Sequence, residues 1–343
     1  MKVENQRKVW NNMKRKRIIT GLTCAALLTA PTAAMAESTD VNLCVNHGWI
    51  GGWEETGQTY ISDDGRTMIP LRLVNTVLGY RTDWQPDGSI QITSTDGTVD
   101  VTLAVGSTAY TADGVAGTFE TAPTLKNDRT YLPARDFAEL YGSIYWDGDT
   151  RTVWIAQSAE TMYQAIGEKV LRADENGIQE LALPERFNIY NPGGTEPLLM
   201  ERTINGVHYL GLLCEPANGD LSAIFQSMVP IFRDEGDSLF HVMDAYPGSY
   251  YIDEENGVGY GTAGVNAGPW NVPIGEDVLY TCGLNTPDSM GQLIYHKLDF
   301  KINDCTLDME DGVLIATSPD GTVHRIENLD DYPASITAGL WDE

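Results

Sequence analysis

One phrase in this chain occurs twice, and that duplication limits what the chain can fold into. Arg66-Thr67-Met68-Ile69-Pro70-Leu71-Arg72 returns 63 residues later as Arg129-Thr130-Tyr131-Leu132-Pro133-Ala134-Arg135. Val74, Val77, Leu78 and Gly79 then stand at the same offset from Phe137, Leu140, Tyr141 and Gly142, and Trp84 and Trp146 follow within one residue of register. A match of this length is internal duplication. Two copies of one pattern call for two similar local structures.

Each copy predicts a strand, a helix opened by proline, a glycine stop and a hairpin. Thr130-Tyr131-Leu132 carries the β-branched and aromatic residues that suit a half-buried pleat. Pro133 cannot continue a central ladder, but its fixed φ suits a first helical turn. Phe137, Leu140 and Tyr141 then make an apolar stripe at i, i+3 and i+4. Gly142 stands where a left-handed cap is wanted. Asp87-Gly88 and Asp147-Gly148 are turns before closing strands in which Ile90/Ile92 and Val153/Ile155 alternate. Val99, Val101, Leu103 and Val105 add a strand between the copies. The expected fold class is therefore α+β: small strand-helix-hairpin units sharing one sheet, then a mostly β C-terminal domain. Arg72 and Arg135 could act as anion clamps. The preferred reading makes them scaffold residues, through ion pairs or stems laid along the sheet.

The pattern Gly-Arg-Thr-hydrophobic-hydrophobic-Pro-x-Arg, with a short helix ending in Gly and then Asp-Trp or Tyr-Trp, resembles the copper amine oxidase N-terminal-like domain. That module, also called a stalk domain, is common in secreted and wall-associated proteins of Gram-positive bacteria. The resemblance runs from Asp64 to Ile155; the second copy has Asp128 where the first has Gly65. It implies a spacer or docking module at 52–157. The family name also promises copper. The oxidase's own catalytic domain uses a Tyr in an Asn-Tyr-Asp/Glu context and a His-x-His pair. Here Asn188-Ile189-Tyr190 is not that motif, and His47, His208, His241, His296 and His324 are scattered. Copper favours clustered imidazoles or thiolates. No catalytic, cofactor-binding or metal-ligating residue is nominated.

The first 36 residues read as a secretion signal. Lys14-Arg15-Lys16-Arg17 precede an apolar run from Ile18 to Ala30, and Ala34-Met35-Ala36 offers a cleavage site before Glu37. Thr23 makes Cys24 a poor lipobox, so export with cleavage is favoured over lipid anchoring. The apolar run is short for a bilayer span. The chain has a net charge of −27, and residues 1–36 hold seven of its basic residues and one of its acids, leaving −33 after cleavage. Such a surface is repelled by nucleic acid and by anionic lipid. Export also permits disulfides among Cys44, Cys214, Cys282 and Cys305, with three possible pairings; Cys282 with Cys305 is the first choice.

Residues 37–51 read as an N-terminal tail. Met162, Ile166 and Val170 predict a connecting helix over Ser158–Ala173 within a 158–180 linker. From 181 to 343 the pattern is short strands between turns: Leu298/Phe300/Ile302, Cys305/Leu307/Met309, Val313-Leu314-Ile315 and Val323–Ile326. Asp253-Glu254-Glu255-Asn256-Gly257 is a hairpin turn. Tyr246, Tyr250, Tyr251, Tyr260 and Trp270 read as sheet core in preference to a sugar-stacking face. His241 and His296 read as satisfied rather than ligating. No Gly-x-Ser-x-Gly is present, and Ser227 beside Met228 shows nothing special. The expected function is a secreted, non-catalytic envelope protein, wall-associated or free, with cell-wall glycan or another envelope protein as partner. The alternative is a secreted, glycan-directed hydrolase with its site in the C-terminal domain.

Overall fold

The computed structural model describes residues 41–50, 57–157, 160–191, 197, 199–217, 229–246, 249–263, 278–284, 293–332 and 334–337. The signal segment, Ser227, Met228 and Trp270 lie outside these. Residues 39–343 form one compact unit. Its first half runs β1 (Asn42–Val45), β2 (Gly48–Ile50), β3 (Tyr60–Ile61), β4 (Thr67–Pro70), α1 (Leu71–Val77), β5 (Tyr80–Trp84), β6 (Ser89–Ser94), β7 (Asp100–Ala104), β8 (Ala109–Ala112) and β9 (Val115–Thr118). It continues β10 (Thr124–Lys126), β11 (Arg129–Pro133), α2 (Ala134–Tyr141), β12 (Gly142–Asp147), β13 (Thr152–Gln157), β14 (Met162–Ile166), β15 (Lys169–Asp174) and β16 (Gly177–Leu181).

The repeated phrases meet as antiparallel neighbours, Ile69 opposite Leu132 in the order β10-β11-β4-β3. The hairpins that follow do not join that sheet. β5–β6 open a five-stranded sheet ending in β9, and β12–β13 join β1 and β2. This overturns the expected α+β class with duplicated strand-helix-hairpin units. Strands take 57% of the described residues and helix 7%, so the fold is nearly all β, in many small sheets. The physical reason is length. Helices of seven and eight residues are barely two turns. They cannot form a layer and serve as links between sheets. Their apolar faces still count: Leu71, Val74, Phe137 and Tyr141 close over Ile69, Leu132, Ile90, Ile92, Val153 and Ile155 in one core. Each such large side chain contributes ~1.5–3 kcal/mol by leaving water.

Three further expectations are corrected. The tail at 37–51 contains β1, a parallel partner of β13 with Leu43, Cys44 and Val45 buried. The connecting helix is a β-hairpin, β14–β15. Met162 and Ile166 are four apart, a spacing that puts residues on one face of a helix and also of a strand; Gly167, at φ +59°, turns the chain between them and Val170. The hairpin is apolar on both faces. Met162, Ile166, Leu171 and Ala173 pack on Trp154 and Ala156, while Tyr163, Ala165 and Val170 pack on Phe187, Leu210 and Phe232. A strand buried on both sides loses the alternation that would announce it. Lastly, Leu298 to Ile302 forms no strand, although Leu298 and Ile302 are buried.

The remaining strands form antiparallel ladders. A second five-stranded sheet joins Tyr250–Asp253, Val258–Ala263, Val278–Gly283, Leu293–His296 and Ala334–Thr337. Tyr246, Tyr250, Tyr251 and Tyr280 are buried in its core. Burial pushes the Tyr246, Tyr250 and Tyr280 phenols up.

The cysteines do not bridge. Among the described residues no disulfide forms, so the expected Cys282–Cys305 pair is corrected: Cys305 Sγ faces the Lys301 carbonyl oxygen at 3.3 Å and Ser318 Oγ at 3.4 Å. Burial, helped by the Asp244 charge, raises the Cys214 thiol and pushes Cys282 up to about 12. With iodoacetamide at pH 8, native Cys214 and Cys282 should label at least ~100-fold more slowly than an ordinary thiol, because the thiolate fraction falls tenfold per pKa unit. Peptide mass spectrometry before and after denaturation measures this; rapid labelling of either in the native protein contradicts their burial.

Candidate functional site

A cleft of about 570 Å³ opens where three turns or strand ends approach one another. The β12–β13 turn supplies the first wall. Its Asp-Gly-Asp-Thr composition is turn chemistry. The Asp147 carboxylate accepts bonds from the Thr150 amide (2.8 Å) and hydroxyl (2.6 Å). The β14–β15 turn supplies the second. A Cβ at Gly167 would stand 2.9 Å from the Thr150 methyl, so glycine lets the two turns dock. The third wall is Ile189–Asn191, held by the pairing of Phe187–Ile189 with Cys214–Pro216, which sets Asn188 opposite Glu215.

Asp147 and Lys169 organise this cleft. Asp147 is 1% exposed, and the Lys169 ammonium donates to it and also to Asp149 at 3.4 Å. Burial alone would raise the Asp147 carboxyl; bonds from Lys169 and Thr150 outweigh it and hold the carboxyl below its ordinary range. The bond to Asp147, against burial, lifts the Lys169 ammonium above its own. Both stay charged across neutral pH. Glu168 and Glu215 also line the cleft, and among the described residues no Lys or Arg pairs with either. Four carboxylates thus line the cleft with one ammonium, and that ammonium is already matched by Asp147 and Asp149.

The residues singled out in the sequence lie elsewhere. Arg72 is exposed, and Arg135 reaches Glu120 only at 3.9 Å, so neither is a buried scaffold pair. His241 is buried between Arg186 (2.6 Å) and Asp244 (3.0 Å). His296 is buried near Thr281 (3.5 Å), with its Nδ1 lacking a hydrogen-bond partner of good geometry. Sequence reasoning missed the cleft. Asp147 was legible only as a turn residue, Lys169 fell inside a supposed helix, and Glu215 lies far along the chain. No local signal joins the three.

Both copies of the repeated phrase now have a place in the fold. Residues 52–155 match the family model of the copper amine oxidase N-terminal domain. The matched span of the copper amine oxidase N-terminal domain therefore ends within β13, and no family model matches the C-terminal region. The histidines that could answer the copper of that name lie apart. His47 faces Glu201 at 3.2 Å, His208 faces Thr203 at 3.1 Å, and His324 stacks on Phe300 at 3.8 Å. His241 and His296 have the separate neighbours given above. Among the described residues no three His, Cys, Asp or Glu are placed to hold a metal ion, so these residues do not fit copper. No curated protein matches the chain. Among solved structures, similarity extends to a protein from Bacteroides fragilis provisionally described as a 6-phosphogluconolactonase, at 12% identity over 84% of this chain and 90% of that one, with a TM-score of 0.24. A protein from Bacteroides uniformis with the same description is similar at 11% identity over 82% and 92%, with a TM-score of 0.25. Scores of that size carry no argument about this chain. Among the described residues no helix is long and apolar enough to cross a membrane.

Proposed function

We propose that this chain is an exported, non-catalytic envelope protein. The copper amine oxidase N-terminal domain acts as a spacer or docking unit, the acidic β-rich remainder displays a binding surface, and the Lys169 cleft, walled by the end of the first and the start of the second, is the ligand site. The spacer or docking role rests on the match at 52–155, and the non-catalytic part of the reading is supported by the charge state of the cleft. Asp147 is held below and Lys169 above their ordinary ranges, so the pair supplies fixed charges. A general acid or base works best with a pKa near the working pH. The buried Cys214 and Cys282 thiols are likewise held protonated, which disfavours a thiolate nucleophile.

The test uses the full chain expressed in a Gram-positive host. The expected result is a protein in the wall or medium fraction beginning at Glu37, which co-sediments with purified cell wall and turns over no wall glycan. Retention in the cytoplasm with its first residues intact would refute export; failure to co-sediment would refute docking. One observation favours the glycan-directed hydrolase reading: Glu168 and Glu215 share a cleft, and glycosidases work with two carboxylates. Release of reducing ends from wall glycan by the wild type, abolished in Glu215→Gln, would establish that alternative.

A further inference from the structure

We infer that the edge strand β9, Val115–Thr118, pairs antiparallel with β9 of a second copy of this chain, joining two five-stranded sheets into one. The inference goes beyond the envelope role and does not depend on it. β9 closes the order β5-β6-β7-β8-β9, and among the described residues no further strand pairs with it. Its register sets Ala112 of β8 opposite Val115 across the Asp113-Gly114 turn, and the Phe119 amide still donates to the Thr108 carbonyl at 2.8 Å. Antiparallel ladders alternate, so Val115, Gly117 and Phe119 bond inward towards β8. The amides and carbonyls of Ala116 and Thr118 then face outward, and both residues are exposed.

An open edge is ordinarily guarded by charge, proline or shortness. The opposite edge of the same sheet, β5, carries Arg81 and Asp83; β10 carries Lys126, and β3 has only two residues. β9 carries no charge and no proline, and its Val115 is 70% exposed. The strand is also complementary to itself. With a two-fold axis at Gly117, Ala116 of each copy falls opposite Thr118 of the other, and each such pair exchanges both main-chain bonds. A Cβ at Gly117 would stand 2.2 Å from the Tyr110 ring, which stacks on Phe119 at 4.3 Å. The same register sets Val115 of one copy opposite Phe119 of the other, so the exposed side chain meets the rim of that ring pair. Two chains of net charge −27 repel, and an uncharged strand is where they can meet.

Sedimentation equilibrium of the full chain across the micromolar range tests the inference. The expected result is a monomer–dimer equilibrium that tightens from low to physiological salt, as the like charge is screened. Amide hydrogen exchange at Ala116 and Thr118 should slow at least ~10-fold in the dimer relative to dilute protein. Val115→Lys and Ala116→Pro should each weaken the dimer at least ~10-fold with circular dichroism unchanged, since both sites are exposed and the Ala116 amide has no inward bond to lose. Leu125→Lys, at an exposed apolar site on β10, should leave it unchanged. A monomer at every concentration overturns the inference. So does a dimer that Leu125→Lys weakens equally, or one that forms without slowing those two amides. Protection of the same amides by an unrelated extended peptide, while the chain stays monomeric, would assign the edge to peptides and remove the second copy as its occupant.

Discussion

Asp234→Ala is expected to destabilise the fold by ~3–5 kcal/mol, the cost of removing one partner from a buried ion pair. Asp234, at the end of the strand Val229–Asp234, is 7% exposed, and Arg172 on β15 is 17% exposed. The carboxylate accepts two bonds from Arg172 (3.1 and 2.9 Å), one from the Tyr163 hydroxyl (2.7 Å) and one from the Gly236 amide (2.7 Å). Alanine would strand the guanidinium with Asp174, 3.2 Å from its Nε but outside hydrogen-bond geometry, and with Gln179. It would also leave the Tyr163 hydroxyl dry. Denaturant unfolding measures the loss; a change under about 1 kcal/mol, the size of a surface pair, would contradict the burial.

The same residue sets a pH dependence. Burial would raise the Asp234 carboxyl, but the bonds from Tyr163, Arg172 and Gly236 win and hold it below its ordinary range. A carboxyl lowered in the folded state contributes stability that is present above its unfolded pKa of about 3.9 and is lost as pH falls through the folded value. The gap in Tm between the wild type and Asp234→Ala should therefore be full near pH 6 and narrow progressively below about pH 4. A gap that widens on acidification would reverse the sign and refute the assignment.

Gly142→Ala should be the second large effect, and Gly79→Ala a small one, although the two glycines are equivalent in the duplication. Gly79 lies at φ +81° with nothing within 4 Å of a built Cβ, so alanine meets only backbone strain, ~1 kcal/mol at the low end of such costs. Gly142 is extended, a conformation open to any residue. Its Cβ, however, would fall 2.1 Å from the Ala156 carbonyl oxygen and 3.0 Å from the Gln157 Cα on β13. Main chain cannot turn aside as a side chain can. β12 must move off β13, at a cost of ~3 kcal/mol or more, the upper end of overpacking. Paired unfolding curves decide it; equal costs would mean that the sheet gives way there.

Much of the first half was legible locally. The repeated phrase, the proline at the head of each short helix and the Asp-Gly turns are properties of a few adjacent residues. The expected left-handed cap at Gly142 was not one of them, because the close approach of β13 comes from another part of the chain. The candidate cleft was illegible for the same reason. Asp147, Lys169 and Glu215 belong to three turns or strands, and each reads alone as ordinary turn or surface polarity.

The sequence by itself determined the duplication, the order of the repeated elements and the strong negative charge, since each depends on residue identity and near neighbours. Tertiary structure alone decided that the two hairpins enter different sheets and that β1 completes one of them. It also decided that 162–174 is a hairpin buried on both faces. Sheet membership is a long-range choice, made by which apolar faces can be covered together. A period shared by helix and strand carries no record of that choice.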